Sequence, residues 1–79
     1  MALYAHLEEF EVKVATLYQM QIVITAGTVS LEVSQDGLPF AVAETFTSDT
    51  VRLVRLVDAK YRFNISNTAQ CSIIPTRFQ

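Results

Sequence analysis

The chain has no tryptophan, one cysteine, one histidine, two glycines and two prolines in 79 residues. Each scarcity excludes something. A lone Cys71 cannot close an intrachain disulfide, so the usual staple of a small secreted fold is missing. One cysteine and one histidine cannot supply a Cys/His set with zinc-ligand spacing, so no metal and no cofactor is expected. Charged residues are only 18% of the chain, and no charge block or low-complexity tract marks a disordered tail. Long apolar runs are missing too. The longest strictly aliphatic run is Ile22-Val23-Ile24, against the roughly 20 residues that span a bilayer. Residues 1–7 contain no Lys or Arg, and no apolar run of about 7–15 residues follows, so a secretory signal is not expected. These absences describe a compact protein kept or assembled in a reducing cytoplasm, with no membrane association.

What is present is apolar side chain, at 51% of residues. A domain of this size buries only roughly 60–65% of the surface its unfolded chain exposes, so its core is thin. A small, unstapled, apolar-rich chain is expected to lean on neighbouring subunits, and a homo-oligomer follows from that. The charge is divided unevenly. Glu8, Glu9, Glu11, Glu32, Asp36, Glu44 and Asp49 face only Lys13 in residues 1–49. Arg52, Arg55, Lys60, Arg62 and Arg77 face only Asp58 in residues 50–79. Antiparallel strands that mix the halves would pair these charges; a fold that separates them would favour head-to-tail attraction between copies.

The hydropathy period is two almost throughout, which is the period of a half-buried strand. Phe10, Val12, Val14, Thr16, Tyr18, Met20, Ile22 and Ile24 alternate with Glu11, Lys13, Gln19 and Gln21, and so long a run implies a bend or bulge near Thr16-Leu17. Ala26-Gly27 reads as a turn. Val29, Leu31 and Val33 form the next apolar face, and Asp36-Gly37 is a strong hairpin signal because Gly accepts positive φ. Further strands are expected over residues 40–46, 51–57, 61–66 and 69–74, joined at Thr47-Ser48-Asp49, Asp58-Ala59 and Asn67-Thr68. The fold class is therefore all-β: a small antiparallel β-sandwich or partly open barrel of about seven short strands, with an apolar N-terminal arm or short helix. Residues 1–9 are read as the arm and residues 10–79 as a single β-sandwich domain.

Catalytic chemistry finds little support. His6 lies alone in an apolar segment. Cys71 alternates in phase with Ala69 and Ile73 and reads as a small buried group. Glu8, Glu9 and Glu11 sit too close together to signal an acid–base pair, and no glycine-rich phosphate loop occurs. Nucleic acid is not expected either: Tyr61 and Phe63 alternate to the face opposite Lys60 and Arg62, whereas a single-strand platform needs aromatics and cations together.

Two places break the pattern and become the partner-binding candidates. One is the N-terminal segment with Met1, Leu3, Tyr4 and Leu7, which either packs on its own sheet or docks on an adjacent subunit. The other is residues 51–57, where the apolar phase slips at Leu53-Val54 between Arg52 and Arg55. A bulge there restores core packing, the favoured reading; without one, one face either buries an arginine or leaves leucine and valine in solvent as a patch for a partner.

Residues 27–74 carry a further pattern. A strand ends in Ser34-Gln35-Asp36-Gly37, a Glu44-Thr45-Phe46-Thr47 segment follows, and then come an aliphatic strand and Tyr61-Arg62-Phe63-Asn64-Ile65-Ser66. This succession of hairpins resembles small β-sandwich modules of tailed-bacteriophage virion proteins. It departs from them at Pro39-Phe40, where a tryptophan often follows the turn, and residues 1–26 have no counterpart. The resemblance implies a virion protein, assembled in the host cytoplasm, such as a capsid decoration (cement) or fibre-associated module. Its partners would be capsid or tail protein and further copies of itself. A small inhibitor of a host enzyme and a ligand-binding module of a fibre or surface protein are the competing readings.

Overall fold

The computed structural model describes residues 3–76. It is all-β: five strands in one antiparallel sheet that does not close, with no helix among the described residues. The strands are β1 (Glu9–Val12), β2 (Thr16–Ser34), β3 (Ala41–Phe46), β4 (Thr50–Leu56) and β5 (Ala59–Pro75). The order β1-β5-β2-β3 runs across the sheet, and β4 also pairs with β2.

Five strands replace the seven expected because two presumed turns lie inside strands. Ala26-Gly27 and Asn67-Thr68 are partners in an uninterrupted β2–β5 ribbon, Ala26 opposite Thr68 and Gly27 opposite Asn67. A straight strand of 19 residues would run roughly 60 Å at about 3.3 Å per residue. The longest dimension of the molecule is 34 Å, so the ribbon bends. Between Ile24 and Ala26 the register shifts by one, leaving Thr25 as an extra residue in β2. That extra residue flips the side-chain phase of β2 alone. Met20 and Ile22 are buried before it and Val29 and Leu31 after it, while β5 keeps Tyr61, Phe63, Cys71 and Ile73 buried in one phase. Both arms of the bent ribbon thus feed one core.

Two residues at the bend take left-handed backbone, Gly27 at φ 87° and Asn67 at φ 92°. A Cβ on Gly27 would lie 1.7 Å from the Ser66 carbonyl oxygen, so glycine is required sterically as well as conformationally. Asp49, in the β3–β4 connection, accepts a hydrogen bond from the Ile24 amide at 2.8 Å, tying that connection to the bulge.

The two arms of β2 carry different neighbours. β4 pairs with the first arm, Thr16 opposite Leu56 through Ile22 opposite Thr50. β3 pairs with the second, Val29 opposite Phe46 through Val33 opposite Ala41. The Asp36-Gly37 hairpin forms as expected: both residues have positive φ, and the Leu38 amide bonds to the Gln35 carbonyl at 2.9 Å. The charge-rich halves are mixed by the sheet. Glu9 lies opposite Arg62 and Glu11 opposite Lys60 across β1–β5. Arg62 also bonds Glu32 at 2.6 Å, and Arg52 pairs with Glu44.

Candidate functional site

Residues 3–8 form no helix. They run along the free flank of β5 as a strap: the Tyr4 amide bonds to the Cys71 carbonyl at 2.9 Å, and the Leu7 amide to the Phe63 carbonyl at 2.8 Å. Between them the His6 Nδ1 accepts the Ile65 amide at 3.0 Å. The strap turns over residues 5–8, where the Glu8 amide bonds the Ala5 carbonyl and the Glu8 carboxylate takes the Ala5 amide. Leu7, third in that turn, has φ 62°, a conformation that glycine ordinarily supplies.

The arm candidates therefore have separate roles. Tyr4 packs against the core, its ring 4.7 Å from Phe10 and 6.2 Å from Phe63. Burial raises its hydroxyl above the ordinary tyrosine range, with the Glu8 charge adding to the effect. Leu3 and Leu7 are exposed on the strap. Met1 lies outside the described residues.

Over residues 51–57 the favoured reading, a bulge restoring core packing, is corrected. β4 pairs with β2 without a register shift, so the phase is never restored. Physically, one face of the strand has to accept the surplus. Arg52, Val54 and Leu56 face inward, and Val51, Leu53 and Arg55 face outward. Arg52 lies on the core-facing side but stays exposed, its guanidinium 5.3 Å from the Phe46 ring centre and paired with Glu44. Val54 is half-buried against the core, and Leu56 is buried. Leu53 is 53% exposed and Val51 61%. Across the sheet Leu53 stands opposite Gln19, and Gln19 opposite Ile74, which is also exposed. The outer surface thus carries a strip of Val51, Leu53 and Ile74 beside Arg55, which makes no ion pair among the described residues.

The structure does not unite the two candidate groups. The strap follows one flank of the ribbon and β4 the other, with β2 and β5 between them. Val51 and Ile74 were missed as site residues. Val51 shares the odd phase of Leu53 and was legible on that ground; Ile74 joins the strip only through strand pairing.

Two hollows open on the surface. A groove of about 500 Å³ lies between β3 and β4, lined by Leu31, Val33, Val54, Leu56 and Tyr61, with Glu44 and Arg52 among its walls. The Tyr61 hydroxyl closes one end by donating to the Val57 carbonyl and accepting from the Val57 amide, both at 3.0 Å. A second hollow of about 450 Å³ gathers Glu9, Glu11, Asp36 and Asp58 around Lys60 and Phe40. No group of three or more His, Cys, Asp or Glu side chains that could hold a metal ion occurs among the described residues. Cys71 is fully buried, and burial pushes its thiol up to about 11, which keeps it protonated and unreactive at neutral pH. Glu32 is held below the ordinary carboxylate range, chiefly by the Arg62 hydrogen bond and also by Asn64, against the opposing effect of burial. It braces β2 to β5.

Tyr61 and Phe63 are buried in the core, so neither ring offers a stacking surface. No helix of the described residues is long and apolar enough to cross a membrane. Compared with family models, curated proteins and solved structures, the chain has no match. The described residues thus place exposed apolar side chains and Arg55, which has no ion-pair partner among them, on and near a strand that pairs on one side only.

Proposed function

We propose that this chain is a non-enzymatic structural protein of a virion, a capsid decoration (cement) protein that binds the shell as an oligomer. The observation that carries the reading is the exposure of Val51 and Leu53 on β4, a strand that pairs on one side only, with exposed Ile74 two strands further in on the same face. Exposed apolar groups gathered beside an open strand edge suit attachment to another protein surface. Repetition around a shell lets each such contact be modest, because many weak attachments combine into avidity. The hairpin succession of residues 27–74 supports the virion assignment through its resemblance to tailed-phage modules. On this reading the bent sheet acts as a partly open β-sandwich, its two arms facing each other across the Met20, Ile22, Val29, Leu31 and Phe63 core.

Mass spectrometry of purified particles is the decisive test. The chain is expected in stoichiometric amount in virions, and its absence would overturn the assignment in favour of an inhibitor of a host enzyme. Binding of Leu53→Ser protein to stripped particles separates the surface from the role: a virion protein that keeps full attachment after this change binds through some other face.

A further inference from the structure

Of the three strands that pair on one side only, β1 and β4 carry opposite charges, while the single charge of β3, Glu44, is taken by Arg52 of the same chain. β4 contains Arg52 and Arg55 and no acid; β1 contains Glu9 and Glu11 and no base. Among the described residues each of these strands hydrogen-bonds to one neighbouring strand only, β4 to β2 and β1 to β5, which leaves each an unpaired backbone edge. Charged side chains on edges ordinarily prevent sheets from adding to one another. Here the protection is selective. Two β4 edges meeting would bring Arg55 to Arg55 on the outer face, and two β1 edges would gather four glutamates, and like charges facing across strands are destabilising. A β4 edge meeting a β1 edge brings arginine to glutamate.

We propose that copies of this chain assemble head to tail by strand addition, the β4 edge of one copy pairing with the β1 edge of the next. The proposal deepens the oligomeric part of the function stated above and rests on it; it does not depend on the virion assignment. Arg55 is the principal cation, since it is exposed on the outer face and free of ion pairs among the described residues, whereas Arg52 is engaged by Glu44. Glu9 and Glu11 are exposed and stand opposite Arg62 and Lys60. A neighbour's Arg55 would therefore extend an alternating row of cation, anion and cation across the joined sheets. Main-chain hydrogen bonds would supply affinity and the charges the choice of edge. The contact joins two different edges, so it is heterologous and produces a ring or an open filament instead of a two-fold dimer.

Light scattering on the full chain across a concentration series tests this directly. At low salt the mass should rise above that of one chain. At about 1 M salt, where charges are screened beyond roughly 3 Å, it should fall toward the monomer. Arg55→Glu should weaken assembly about tenfold or more, as should the Glu9→Lys, Glu11→Lys pair. Mixing those two proteins should restore assembly, because each then offers an edge complementary to one on the other. Circular dichroism verifies that each variant is folded; Glu9→Gln, Glu11→Gln replaces the lysine form if that one is not, and must still weaken assembly. A wild-type chain that stays monomeric at low salt and high concentration overturns the proposal. So do assemblies indifferent to salt, variants that assemble unchanged, and folded charge-reversed variants that fail to recombine. Detection of the chain in virions is independent of all these outcomes.

Discussion

The two flanks of the β2–β5 ribbon are finished in opposite ways. Along β5 the N-terminal segment covers the backbone, first with the strap of residues 3–8 and then with β1. Along β2 the chain places β3 and β4, each bonded to a different arm of the bend. Those strands carry their own unpaired edges, and a groove lies between them. One flank spends apolar residues such as Tyr4 on sealing the core, and the other leaves Val51 and Leu53 in solvent. Unpaired strand edges are open to pairing with other chains. One flank buries its apolar side chains and ends in an acidic strand, the other exposes them and ends in a basic one, so the molecule has a direction.

The bend creates both flanks, so breaking it has the largest effect. Gly27→Ala forces a Cβ onto the Ser66 carbonyl at φ 87° and should cost about 3 kcal/mol or more, or prevent folding. Urea denaturation followed by circular dichroism measures it; a loss under about 1 kcal/mol, the ordinary scale of a point mutation, would show that the bend tolerates a side chain. Next comes the sealed flank. Tyr4→Ala removes a ring packed between Phe10 and Phe63 and should cost about 2 kcal/mol by the same measurement. The same change would alter stability little if the strap were only loosely laid on β5.

Acid tests the brace between the two long strands. Glu32 is depressed in the folded state, so its stabilisation is complete above the ordinary carboxylate value and is lost as pH falls through the lower, folded-state value. Denaturation midpoints of the wild type should therefore fall across that acidic window more steeply than those of Glu32→Gln; parallel curves would remove Glu32 from the ledger of acid sensitivity. A smaller, local effect is expected at His6. Its Nδ1 accepts the Ile65 amide, so His6→Ala should speed up exchange of that amide. Nuclear magnetic resonance measures that exchange, and His6→Asn, which keeps an acceptor, should leave it closer to the wild type; an unchanged rate in His6→Ala would show that the bond protects nothing. The bare flank should respond least. Leu53→Ser should change stability by less than about 0.5 kcal/mol, as an exposed substitution does, while reducing attachment to a partner. A large loss of stability would mean that Leu53 serves this chain's own core.

Alternation made much of the sheet legible. The burial of Tyr61 and Phe63, the phase of Cys71 with Ile73, and the Asp36-Gly37 hairpin follow from period two and from the backbone freedom of glycine. Ala26-Gly27 misled for a physical reason: the residue that permits a chain reversal also permits a bend at which two backbones approach closely. Which of the two occurs depends on whether Asn67 lies opposite, and that is a long-range fact. The apolar arm was legible as a segment needing cover, yet its extended path along β5 depends on hydrogen bonds to the Cys71 and Phe63 carbonyls, far away in the chain. On β4 the sequence stated the conflict between its faces. The inward place of Arg52 became clear only with Phe46 and Glu44 beside it.

The long pairing of β2 with β5 also dictates the order in which the chain can assemble. Ser34 and Lys60 are the partners least separated along the sequence, and Tyr18 and Pro75 the most. Closing a larger loop costs more chain entropy, so pairing is cheapest from the inner end outward. The Asp36-Gly37 hairpin, whose strands are adjacent in sequence, needs no long closure and can form before it. On that order the ribbon closes from Ser34 and Lys60 toward Tyr18 and Pro75, which puts the bend at Gly27 midway along it. A side chain at that position would therefore arrest the zipper before the first arm of β2 finds β5, slowing folding as well as weakening the folded state.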